Sequence, residues 1–143
     1  MGAESERSGR CECGDLAYVI QGKPLAIAAC HCTQCQRQTG SAFGMTLVVR
    51  REAFRWLEGE PRSYRTRSDS GADKDCVFCP RCGTRIYNEL SSMPHTRNVK
   101  PGTLDDTSWL EPGLHTWISS KQPWVRVPDG VPTFDRNPPR LSK

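Results

Sequence analysis

No apolar run in this 143-residue chain approaches the roughly 20 residues that a membrane-spanning helix needs. The opening stretch, MGAESERSGR, lacks the apolar core of a secretory signal, and Glu6 stands where myristoylation needs Ser or Thr. Hydrophobic residues make up only 36 %, and 12 Gly and 11 Pro break them up, which excludes a mainly helical protein. A strong basic surplus is also missing. The net charge of +4 permits an anionic small ligand but falls short of the dense basic surface that nucleic-acid binding uses. There is no Ser-His-Asp order and no phosphate-cradling loop: GSAFG, residues 40–44, is too short and carries no lysine. These absences set the expectation of a soluble, cytoplasmic protein with neither a membrane nor a nucleic acid as partner.

Cysteine, by contrast, is plentiful and ordered. Eight cysteines fall into Cys11-x-Cys13, Cys30-x-Cys32-x-x-Cys35 and Cys76-x-x-Cys79-x-x-Cys82. Four disulfides would suit a secreted protein; in a reducing compartment such close groups are more often metal ligands. Neighbours this near in sequence bridge each other poorly but can share one ion through metal–sulfur bonds of about 2.3 Å.

Short β-like runs recur between turns: LAYVI (16–20), FGMTLVV (43–49), FRWL (54–57), SYRTR (63–67), TRIYNEL (84–90), LHTWIS (114–119) and WVRV (124–127). Gly-Pro signals separate them, which predicts an all-β domain of mainly antiparallel strands with one or two short helical turns. Residues 1–9 read as a flexible lead, 10–135 as the domain and 136–143 as an irregular, proline-rich tail. The one helix signal lies at residues 33–40, where Thr33 and Gln36 form a capping-box pattern and Gly40 a stop. Cys35 then falls in the first turn, where unpaired N–H groups favour a thiolate.

CPRCG, residues 79–83, predicts a tight knuckle whose two sulfurs converge, with Gly83 in a left-handed conformation. A structural zinc takes four ligands, so two more are needed. CECG, residues 11–14, places two thiols on one side of an extended segment. Cys11, Cys13, Cys79 and Cys82 are therefore expected to form a closed, structural site that staples the N-terminus to the middle of the chain. Cys30, Cys32 and Cys35 remain. Three protein ligands leave one position for water or substrate, the arrangement of catalytic zinc sites. His31 alternates with its cysteine neighbours and so points away from them on a strand. Cys76 is either a fourth ligand that closes this site or a buried small hydrophobe.

The chain resembles the family of glutathione-dependent formaldehyde-activating enzymes, which includes centromere protein V-like zinc domains. The likeness rests on CxCG at 11–14, CHCxxC at 30–35, RQTGSAF at 37–43, FCPRCG at 78–83, GTLDD at 102–106, LHTW at 114–117 and PDGVPTF at 128–134, in order. It implies a tent-like zinc-binding β fold with two zinc ions per chain, the second being the one that purification can strip. It also implies Cys11, Cys13, Cys79 and Cys82 as structural ligands, and Cys30, Cys32 and Cys35 as the site associated with activity. The implied reaction is that of a carbon–sulfur lyase, adding a thiol such as glutathione to formaldehyde or another small aldehyde.

The alternatives are a non-catalytic zinc-stapled binding module with a protein or nucleic-acid partner, and a redox or zinc-storage protein. Arg37 is the cation nearest the second cysteine group, with a solvated helix position as its plain reading. His115 matches a position that the family tends to fill with His, and His95 carries less weight. Trp56, Trp109, Trp117 and Trp124 read as packing, and Asp105 and Asp106 as turn residues.

Overall fold

Ten strands, one seven-residue helix and three 3₁₀ turns make up the regular structure of residues 5–138, which the computed structural model describes. The fold is all-β, as the strand pattern implies. No helix among these residues is long and apolar enough to cross a membrane. Residues 1–4 and 139–143, including most of the expected irregular tail, lie outside the described residues.

The chain packs into two units, one built from Met1–Leu25 with Leu47–Trp109 and one from Ala26–Thr46 with Leu110–Lys143. In the first unit β1 (Glu6–Arg10), β2 (Ala17–Gln21) and β5 (Phe54–Glu58) form an antiparallel sheet with β2 in the middle. The lead is therefore not wholly flexible: residues 6–10 pair with β2 along their full length. Tyr18 stacks on Phe54 at 4.9 Å, while Trp56 and Tyr87 meet Phe54 edge-on at 5.1 and 5.0 Å. Gly9 lies against the Tyr18 ring, where any Cβ would collide with it. That close approach lets the Tyr18 hydroxyl reach Thr103 Oγ1 at 2.7 Å.

An antiparallel meander of β6 (Arg62–Arg67), β7 (Asp73–Phe78), β8 (Arg85–Leu90) and β9 (Thr96–Val99) completes this unit. The last four residues of β4 (Gly44–Arg50) pair with β9. Cys76 sits fully buried on β7, opposite Tyr64 and Asn88.

In the second unit β3 (Ala26–Cys30) runs parallel to β10 (Leu114–Thr116), and α1 (Thr33–Thr39) follows β3 after two residues. Two expected strands differ. LHTWIS stops at Thr116 because Trp117 turns left-handed at φ 57°, and a 3₁₀ turn takes Ile118–Ser120. WVRV forms no strand; Pro123 and Pro128 flank it, and Val125 N–H closes a turn onto the Gln122 carbonyl at 3.0 Å.

Candidate metal centres

All eight cysteines are thiols. Two groups of sulfur atoms converge among the described residues: Cys11, Cys13, Cys79 and Cys82, and separately Cys30, Cys32 and Cys35, each set lying within 4.8 Å of one another.

The first group lies wholly in the first unit. β1 delivers Cys11, and the turn through Gly14 at φ 87° brings Cys13 alongside. The knuckle after β7 supplies the other pair, closed by Gly83 N–H donating to the Cys79 carbonyl at 2.8 Å, with Gly83 at φ 81°. Cys11 Sγ lies 3.7 Å from Cys13 Sγ, which lies 3.8 Å from Cys79 Sγ. A tetrahedron with zinc–sulfur bonds of 2.3 Å has edges of about 3.8 Å, so the sulfurs are already spaced for one ion. Backbone donors point at them: Leu16 N–H reaches Cys11 Sγ at 3.2 Å and Arg81 N–H reaches Cys79 Sγ at 3.4 Å.

The protonation states are already divided within this group. The Thr84 hydroxyl and backbone N–H pull the Cys82 thiol down to about 6. At Cys13 the Asp15 N–H favours the thiolate, but desolvation and bonds to Cys11, Cys82 and Cys79 outweigh it and push the thiol up to about 12. A metal would replace the protons the sulfurs now share.

The second group lies in the second unit. Cys30 ends β3, Cys32 caps α1 and Cys35 lies buried in the first helical turn. The cap differs from the Thr33–Gln36 box read from the sequence. Cys32 Sγ accepts the Cys35 N–H at 3.3 Å, while Gln36 Nε2 donates to the carbonyls of His31, at 2.8 Å, and Ser120, at 3.1 Å. Gln36 Oε1, the atom that a capping box would turn to a backbone N–H, accepts instead from Gln122 Nε2 at 3.3 Å. Gly40 ends the helix left-handed at φ 65°, as its position predicts. A Cβ at Gly44 would come within 3.3 Å of the Cys35 Cβ, so glycine leaves room for that ligand.

Cys32 is held far below the usual thiol range, because the Cys30 and Cys35 thiols donate to it and the N–H groups of Cys35 and Gln34 assist. Cys30 is raised in turn, chiefly by that bond to Cys32. The group thus stabilises one thiolate before any metal arrives, as a ligand set for a soft cation does.

His31 is not among the converging atoms. It is fully buried, its Nε2 lies 2.9 Å from His115 Nδ1, and the two rings stack at 5.1 Å. Burial lowers the pKa of both histidines, and at His31 the His115 ring and the Lys121 ammonium oppose a further positive charge. The pair acts as a neutral wedge behind the CHC segment. His115 therefore supports this segment through His31. Ser120 Oγ, donating to the His31 carbonyl at 2.9 Å, is a support that no sequence signal marks. Neither group contains Cys76.

The remaining candidates have ordinary surroundings. Arg37 is exposed on α1 and has no acidic partner among the described residues. Asp105 accepts from Ser8 and Arg10, and Asp106 accepts from Ser108, so both hold local structure. Trp56 belongs to the aromatic core, Trp109 packs under Arg7 at 3.9 Å, and Trp117 bonds Asn137 Oδ1 at 3.0 Å. His95 offers its carbonyl to Arg51 N–H.

The sequence profile of the family described as glutathione-dependent formaldehyde-activating enzyme matches residues 6–120. A Colletotrichum graminicola protein named "Putative glutathione-dependent formaldehyde-activating enzyme" is 24 % identical over 117 residues, which make up 78 % of this chain and 60 % of that relative. The chain thus spans about three fifths of that relative's length. A Rhodobacter sphaeroides protein of known crystal structure aligns with a TM-score of 0.56 at 20 % identity, covering 73 % of this chain and 91 % of the other, so the two share a fold.

Proposed function

The chain belongs to the glutathione-dependent formaldehyde-activating family, and on that premise we propose that it is a zinc-dependent enzyme of the carbon–sulfur lyase type. It adds the thiol of glutathione or a related small molecule to formaldehyde or another small aldehyde. The observation that carries this reading is the contrast between the two sulfur groups, one with four members and one with three.

Cys11, Cys13, Cys79 and Cys82 hold a structural zinc, closed to further ligands. Cys30, Cys32 and Cys35 hold a second with one position open. A zinc at that position supplies Lewis acidity, lowering the pKa of a thiol or polarising an aldehyde oxygen. The chain's own residues supply the rest. The Cys32 sulfur and the N–H groups directed at it fix the ligand face, and the His31–His115 wedge keeps the CHC segment from turning. In the reaction the substrate sulfur forms a bond to the carbonyl carbon. The carbonyl π pair moves to oxygen, and the thiol proton ends there, giving a hydroxymethyl thioether. Three thiolates and a divalent ion leave a net charge of −1, so a nearby cation assists the approach of an anionic thiol. The setting is the cytoplasm, where thiols of this kind are abundant and the ligand cysteines stay reduced.

Exchange NMR of glutathione with formaldehyde tests the proposal. The expected result is an exchange rate that rises in proportion to zinc-loaded protein above the uncatalysed background. An exchange rate independent of protein concentration would overturn it in favour of a binding module.

A further inference from the structure

The outer face of α1 carries a groove that no cysteine lines. It is an open depression of about 550 Å³, within the range of small-molecule sites, and is lined by Thr33, Gln36, Arg37, Ser41, Gln122 and Trp124 together with Gly40 and Ala42. Thr33, Gln36, Arg37 and Gly40 follow the i, i+3, i+4, i+7 spacing and so form one stripe along the helix. No lining residue is acidic, and Arg37 is unpaired among the described residues, which leaves the groove with a single positive charge.

Trp124 is 69 % exposed yet held in place. Its indole N–H donates to Gln122 Oε1 at 2.8 Å, and Gln122 Nε2 donates to Gln36 Oε1 at 3.3 Å. Gln36 in turn grips the carbonyls of His31 and Ser120. A chain of side-chain amides therefore runs from the CHC segment to an open aromatic face. A mostly exposed indole held by its N–H is a ready stacking platform for a flat, partly apolar group.

We propose that this groove binds the body of a carboxylate- and amide-bearing thiol, with Arg37 pairing a carboxylate and Trp124 covering an amide plane. Arg37 and Trp124 are then the residues that select short anionic peptide thiols over small neutral ones. The assignment rests on the thiol-addition reading for the identity of its ligand. Thr33, the first residue of the groove, directly follows Cys32, so the groove begins beside one sulfur of the three-member group and runs on along the helix to Arg37 and Gly40.

S-Methylglutathione is the probe, because its thioether cannot ionise or react. Calorimetric titration into the zinc-loaded protein is expected to show saturable binding, weakened tenfold or more by Arg37→Glu and by Trp124→Ala. Arg37→Lys is expected to recover part of the loss. Circular dichroism and zinc content of each variant show whether the fold is kept. Equal affinity in folded wild-type and Arg37→Glu protein overturns the groove, as does equal affinity in folded Trp124→Ala protein. The two readings fail separately: Arg37-dependent binding with no exchange activity removes the reaction and keeps the groove. Glutathione turnover with an unchanged KM in Arg37→Glu does the reverse.

Discussion

Gly83 closes the Cys79–Cys82 knuckle at φ 81°, and the space around its missing Cβ is open. Glycine is needed there for its backbone angle alone, since no neighbour would touch a methyl group. Gly83→Ala is expected to cost about 1–2 kcal/mol of left-handed strain. In a chain of this size that lowers the unfolding midpoint by about 2–8 °C, measured by calorimetry on zinc-replete protein. An unchanged midpoint would mean that the knuckle does not depend on this angle. The knuckle was legible in the sequence because a chelating pair must be close in the chain, and CPRCG encodes that closeness locally. The orientation of His31 was legible from simple alternation. The cap of α1 was not, because sulfur is a weak acceptor outside the usual capping residues, and Gln36 turns its Oε1 to the distant Gln122 amide and its Nε2 to two carbonyls. The burial of His115 against His31 joins residues 84 positions apart in the chain, which no local pattern reveals.

The strands follow the same logic at a larger scale. β2, β5 and β8 carry aromatic or branched residues between turns and were visible. β1, with sequence ERSGR, and β7, with DKDCVF, are strands because of what they pair with. Arg10 and Ser8 of β1 reach Asp105, and Gly9 admits the Tyr18 ring, so a polar segment becomes a full sheet edge. Gly9→Ala is expected to push the ring away from Thr103 and destabilise the protein by about 1–3 kcal/mol, the usual range for overpacking. Denaturant unfolding of the zinc-replete protein measures it, and a stability equal to wild type would show that β1 tolerates a looser fit. β10 ended sooner than its apolar run because Trp117 leaves the extended region. A left-handed tryptophan cannot be read from composition.

At the scale of the whole molecule, each unit holds one sulfur group, and the groups differ in ligand number. Each has two half-buried members, Cys13 and Cys82 in one and Cys30 and Cys32 in the other. Three thiolates grip an ion with one bond fewer than four, so a chelator takes the ion of the three-member group first. Stepwise chelation of two-zinc protein is expected to remove one equivalent with near-UV circular dichroism unchanged. Removal of the second is expected to collapse that signal, since a four-thiolate staple contributes folding energy directly. Simultaneous loss of both ions with the fold would show that the sites are not independent.

The central claim is that Cys30, Cys32 and Cys35 form a separate zinc site that the fold does not need. Serine is a better helix cap than cysteine, so Cys32→Ser removes a ligand while keeping α1 capped. Elemental analysis of this variant, purified without chelator beside wild type, tests the claim most directly. Two zincs per chain in wild type and one in a folded Cys32→Ser protein is the predicted result. Two zincs retained in Cys32→Ser would contradict it.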